Sequence, residues 1–159
     1  MPNAIRIHEQ GGPEVMCWES IDLPELGSEE IRIRHTAIGL NFIDTYQRSG
    51  LYPLNLPCGL GKEAAGVVAE TGSAVKEFRK GNRVVYVGGT SAYSEVSQIA
   101  ANLVVPIPDD VEDEVAAASM LKGMTAEYLL RHIGRVQTDD VILFHAAAGG
   151  TGLIACQWA

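Results

Sequence analysis

The sequence predicts a mainly β domain, built as a barrel or sandwich, followed by the opening of an α/β unit. Three observations predict it. Short strand-like segments separated by turn residues fill about the first hundred positions. After Pro106 and Pro108 the chain turns acidic and then helical. The unbroken apolar run Val141-Ile142-Leu143-Phe144 leads into a glycine-rich turn and a helix start.

The strands follow in order. Ile5 and Ile7 alternate with Arg6 and His8, and Gly11-Gly12-Pro13 turns the chain. Residues 16–21 return as a second strand that stops before Pro24. Residues 30–40 alternate, with Ile31 and Ile33 on one face and Arg32 and Arg34 on the other. Residues 61–71 hold the run Ala64-Ala65-Gly66-Val67-Val68-Ala69, a buried strand whose glycine marks close backbone approach. Lys80-Gly81-Asn82 is a turn before a strand at 83–87, and residues 92–99 have strand character again.

Asp109, Asp110, Glu112, Asp113 and Glu114 then suit the positive end of a helix dipole. Residues 115–133 read as that helix, with Ala117, Leu121, Met124, Tyr128 and Leu129 sharing a face, Gly123 as a weak point and Gly134 as the stop. The run 141–144 reads as a parallel strand covered on both sides. In Ala146-Ala147-Ala148-Gly149-Gly150-Thr151-Gly152, Gly149 stands where a backbone approaches a pyrophosphate. Gly152 stands where a helix packs closely on a strand, and Ala147 holds the place of a frequent first glycine. A plain tight turn into a helix is the competing reading. A doubly wound nucleotide domain needs about six strands, and one is present. Gln157-Trp158-Ala159 brings no helix stop signal. The sequence is therefore expected to be a piece of a longer protein, inactive alone.

Charge and composition exclude several classes. The net charge of −8 argues against nucleic acid and anionic lipid as partners. No apolar run is long enough to span a bilayer, and the opening residues lead into a strand pattern, so no signal peptide is expected there. Cys17, Cys58 and Cys156 form no CxxC pair, so reduced thiols and a cytoplasmic location are expected. Each cysteine is read as a small buried hydrophobe rather than a nucleophile. His8, His35 and His132 share no metal-binding spacing, and His145 is read as structural.

The stretch Asn41-Phe42-Ile43-Asp44-Thr45-Tyr46-Gln47-Arg48-Ser49-Gly50-Leu51-Tyr52-Pro53 resembles a signature of zinc-free, NADPH-dependent quinone oxidoreductases. These are zeta-crystallin-like members of the medium-chain dehydrogenase/reductase superfamily. Gly11-Gly12-Pro13-Glu14-Val15, Ala117-Ala118-Ser119 with Leu121-Lys122-Gly123, and Phe144-His145-Ala146-Ala147-Ala148-Gly149-Gly150 are similar to the same family. The resemblance implies a mainly β GroES-like barrel with helices over residues 1–123, which holds the substrate side. The truncated start of a Rossmann α/β domain, for NADPH, follows over 124–159. It also implies a small quinone substrate and a homodimeric parent enzyme.

The residues that the resemblance sets beside the cofactor are Asn41, Phe42, Ile43, Asp44, Thr45, Tyr46, Thr125, Tyr128, Gly149, Gly150, Thr151 and Gly152. Asn41, Tyr46 and Tyr52 are its catalytic candidates. Their chemistry agrees: an amide both donates and accepts, and tyrosine offers a flat apolar face with a hydroxyl. Core packing competes for Tyr128. Zinc-dependent relatives carry cysteine at the place of Asn41 and Gly-His-Glu where this chain has Gly61-Lys62-Glu63. An ammonium is no zinc ligand, so no metal is expected. Lys62 departs from the neutral residue usual in the family; a nearby phosphate and a pairing with Glu63 are both open. Another zinc-free reductase, such as an enoyl reductase, and a non-enzymatic GroES-like interaction module are the competing functions.

Overall fold

The computed structural model describes residues 1–89 and 91–159. Its strands are β1 (Asn3–Ile7), β2 (Met16–Ser20), β3 (Glu30–Gly39), β4 (Cys58–Gly59), β5 (Glu63–Thr71), β6 (Arg83–Val87), β7 (Val96–Ala100) and β8 (Val104–Pro106). Its α-helices are α1 (Phe42–Ser49), α2 (Asp113–Glu127) and α3 (Gly150–Trp158), with a π-helical turn, Tyr128–Ile133, continuing α2. Among the described residues no helix is long and apolar enough to cross a membrane.

The strands form a three-stranded sheet, β2-β1-β4, and a five-stranded sheet, β7-β3-β5-β6-β8, with every neighbouring pair antiparallel. The sheets are joined at β1. Ile5 N–H donates to the Tyr93 carbonyl at 2.7 Å and Glu95 N–H to the Asn3 carbonyl at 2.9 Å. This use of residues 93–95 explains why β7 begins only at Val96, later than the sequence suggests: the segment before it bridges to β1.

Ile31 and Ile33 of β3, Ala64 and Val68 of β5, Val84 and Tyr86 of β6 and Ile99 of β7 fill the barrel interior. Ala65 and Val85 point the other way and pack under Ala116 and Ala117 of α2. The central strand β5 is thus covered on both faces, which is why its sequence is a continuous small-apolar run rather than an alternation. A Cβ on Gly66 would run into the Arg34 carbonyl, beside a register shift between His35 and Ala37. That is the close approach its glycine implied.

Three sequence expectations need correction. Residues 141–144 form no strand. A parallel strand is held by neighbours on each side, and here Val141 is fully exposed and Leu143 nearly so. The expected face of the helical segment is buried only at its start: Ala117 is buried and Leu121 half-buried, but Met124, Tyr128 and Leu129 are exposed, while Ala126 of α2 and Leu130 of the π-helical turn are buried instead. The helix changes partners along its length, resting on the sheet at its start and on Ala155 of α3 at its end, so its apolar stripe changes side. None of the cysteines is buried; Cys17 and Cys156 are exposed and Cys58 half-buried. Cys17 lies on β2, at the edge of the smaller sheet, where one face meets water.

Inside the barrel, His35 Nδ1 lies 2.7 Å from the Ser94 carbonyl and its Nε2 lies 3.1 Å from the Tyr86 hydroxyl. A carbonyl only accepts, so Nδ1 is the donor to Ser94, and the Tyr86 hydroxyl beside Nε2 also reaches Ser97 Oγ at 2.8 Å. Burial holds the His35 pKa below its usual 6.5. Below that pH the unfolded chain takes up a proton that the folded chain resists. The stability present above pH 6.5 is therefore lost as pH falls through the folded pKa. Urea midpoints measured across this range should fall more steeply for the wild type than for His35→Gln, and equal slopes would remove His35 as the cause.

Candidate functional site

The loop after β3 places the first group. Asn41 has extended backbone and caps α1; the Asp44 carboxylate, three residues on, reaches back to accept the Asn41 N–H at 2.9 Å. Gly50, at φ 84°, closes the helix in the left-handed conformation. Thr45 Oγ1 donates to the Phe42 carbonyl at 2.7 Å and is spent on the helix, and Ile43 is half-buried. The next turn brings Tyr52 back, its N–H donating to the Tyr46 carbonyl at 3.1 Å. Phe42, Tyr46 and Tyr52 then line up edge to face, with centroids 5.2 and 5.4 Å apart. Phe42 and Tyr52 are exposed, so the run offers flat aromatic surface to a ligand.

Asp44 also accepts the Tyr93 hydroxyl at 2.7 Å. Burial, and then this bond and the charge of Asp44, push the Tyr93 phenol well above its usual range, so it stays a donor. Asp44 Oδ1 and Gln47 Oε1, one helical turn apart, are buried with no hydrogen-bond partner among the described residues. Both are acceptors, and they suit a hydroxyl or amide donor.

A second group was not legible in the sequence. Glu63, at the start of β5, is completely buried. Its Oε1 accepts from Asn41 Nδ2 at 2.8 Å and from Lys122 Nζ at 2.8 Å, and its Oε2 accepts the Leu121 N–H at 2.6 Å. Lys62 does not pair with Glu63; its ammonium donates to the Gly89 carbonyl at 2.8 Å. A glutamate in a buried strand was the available signal, because such a charge needs a partner.

The third group is the glycine turn. Gly149, Gly150, Thr151 and Gly152 border a cavity of about 550 Å³, together with Thr125, Leu129 and residues 143–146. The first N–H groups of a helix have no carbonyl within it, and α3 starts at Gly150, against this cavity. A Cβ on Gly152 would meet the carbonyls of Ala146 and Ala147, the second at 2.6 Å. Thr125 Oγ1 donates to the Leu121 carbonyl at 2.7 Å. Tyr128 lies apart: it stacks on His132, with centroids 5.9 Å apart, and borders another cavity with Met120, Met124 and Trp158. It is exposed, so core packing does not account for it either. His145, read as structural, is exposed and borders the same cavity as the glycine turn.

Among the described residues no three His, Cys, Asp or Glu side chains gather to hold a metal ion. What the arrangement offers is an aromatic surface, a buried amide held by a carboxylate, and a helix start bordering an open cavity.

The chain matches the alcohol dehydrogenase GroES-like domain over residues 27–136 and belongs to that family. It is similar to the quinone oxidoreductase of Salmonella typhimurium, 52% identical over 100% of this chain and 49% of that protein. The crystal structures of Pseudomonas syringae quinone oxidoreductase superpose with a TM-score of 0.96 at 49% identity, covering 99% of this chain and 49% of theirs. Escherichia coli quinone oxidoreductase complexed with NADPH gives 0.95 at 50% identity, covering 98% and 48%. The chain spans about half the length of the curated relatives it matches.

Proposed function

We propose that this chain supplies the substrate side and the phosphate-binding turn of an NADPH-dependent quinone oxidoreductase. The activity belongs to a whole enzyme with a complete nucleotide domain, and the chain alone binds NADPH weakly. The likeness to an NADPH-complexed quinone oxidoreductase across nearly the whole chain carries the reading. In the proposed division, residues 1–123 form the substrate domain and 124–159 open the nucleotide domain. A cytoplasmic homodimer completes the proposal; three free thiols support the reducing compartment.

The residues fit the cofactor. Gly152 lies where a Cβ would fill the turn, and the start of α3 borders an open cavity suited to a pyrophosphate. The unpartnered oxygen of Asp44 suits a ribose hydroxyl. When bound, NADPH supplies the reducing equivalents, as hydride or single electrons. The protein positions. Asn41 meets the nicotinamide carboxamide, and the backbone of Phe42, Ile43 and Thr45 borders it. The edge-to-face pair Tyr46 and Tyr52 offers the quinone ring an aromatic surface to lie against and hydroxyls that donate to its oxygens. Thr125 and Gly149 to Gly152 line the phosphate end. Tyr128 serves only if the whole enzyme brings the cofactor across α2. No step calls for zinc.

The test is quinone-dependent NADPH oxidation by the whole enzyme, run beside enoyl thioesters. Turnover of quinones, unchanged by chelators, is expected. Tyr46→Ala with Tyr52→Ala should lower it roughly tenfold or more, as loss of about 1.4 kcal/mol of ring contact would. Preference for enoyl thioesters would instead favour an enoyl reductase. Absence of any turnover would favour a non-enzymatic module.

A further inference from the structure

We propose that Glu63 and Lys122 are positioning residues that hold the glycine turn at a set distance from Asn41, so that one dinucleotide meets both. This rests on the cofactor reading above. Four elements converge on the pair. Glu63 begins β5, Asn41 caps α1, Leu121 and Lys122 lie within α2, and Gly150 begins α3. The carboxylate spends one oxygen on Asn41 and Lys122 and the other on the backbone of Leu121.

Lys122 then continues the connection. Its stem lies across Gly150, where a Cβ would stand 2.7 Å from Lys122 Cδ and 2.9 Å from Cε. The chain of contacts is therefore Asn41, Glu63, Lys122, Gly150. It runs from the residue assigned to the nicotinamide to the first residue of the helix assigned to the pyrophosphate.

Stability alone does not explain such a pair. Glu63 has no exposed surface, and the Lys122 side chain is 20% exposed. A buried ion pair loses much hydration, and apolar side chains of similar volume often replace it at no cost. What apolar residues cannot replace is its directionality. A carboxylate only accepts, so it turns the Asn41 amide with its nitrogen inward and fixes the ammonium beside it. Gly150 is then needed for its lack of a side chain, since any Cβ there would displace the lysine stem.

The test uses the whole enzyme and reads the NADPH Kd by cofactor fluorescence together with steady-state kinetics. Lys122→Met should raise the Kd and KM for NADPH about tenfold or more, with kcat reduced, since small misplacements of bound groups are costly. The KM for quinone should move little. Lys122→Arg should restore most of the loss. Glu63→Gln with Lys122→Met should be no worse than Lys122→Met alone, as expected for residues acting as one unit. Should Lys122→Met fail to fold, Glu63→Gln, which keeps shape and removes charge, carries the same measurements. Folded variants with lowered melting temperature but unchanged Kd and kcat would overturn the inference alone. A wild-type enzyme that neither binds NADPH nor reduces quinones would overturn the functional reading, and this inference with it.

Discussion

Valine in place of Gly152 is expected to raise the KM for NADPH of the whole enzyme about 100-fold, the scale on which a displacement near 1 Å acts in a bound complex. Gly152 is buried in the first turn of α3, and any Cβ there points at the carbonyls of Ala146 and Ala147. Those are backbone atoms, so no rotamer change makes room. Either the turn opens or the helix start moves away from it, and both separate the residues that border the cavity. Gly123→Ala is the control. It lies within α2, away from the glycine turn, and no atom stands within 4 Å of a Cβ there. A mild effect there, beside a severe one at Gly152, ties the loss to the packing of the turn. Equal effects would point to a general intolerance of added side chains. Circular dichroism on both variants checks that the fold survives.

The glycine turn before α3 was legible because it is local, written in consecutive positions from Ala146 to Gly152. Helix α1 was not: residues 41–53 stood out through the family resemblance, and neither the helix nor its Asn41 cap was read from the residues. The continuous run of β5 was legible for a related reason: a strand covered on both faces loses its alternation. What stayed hidden depends on partners distant in sequence. Glu63 and Lys122 are far apart along the chain, and neither carries a mark that names the other. Lys62 was the nearer cation and the open question, yet it lies in the bend before β5 and its ammonium donates to the Gly89 carbonyl. The buried stripe of α2 was misplaced for the same kind of reason. A single periodic pattern assumes a single partner, whereas α2 rests first on a sheet and then on a helix. Val141 to Phe144 failed as a strand because apolar sequence supplies the faces of a sheet but not the hydrogen-bonding neighbours.

That failure leads to a prediction about where stability resides. Ile33→Ala is expected to destabilise the 159-residue chain by about 2–5 kcal/mol, while Leu143→Ala should change it by no more than about 0.5 kcal/mol. The two side chains are isomers, so intrinsic hydrophobicity is not the difference. Ile33 has no exposed surface, and its strand is hydrogen-bonded to β5 on one side and β7 on the other. A cavity there cannot close without breaking two ladders, which places the cost toward the upper end of the range. Leu143 is 88% exposed and loses almost no contact when shortened. Urea unfolding of the two variants reads the difference directly. Hydrogen exchange gives the same ordering without mutation: amides of β3 and β5 should open only with global unfolding, and those of residues 141–144 should exchange nearly as in an unfolded chain. Comparable losses from both substitutions would mean that residues 141–144 are buried in solution. The barrel, rather than the start of the nucleotide unit, would then not be the only cooperative core of this chain.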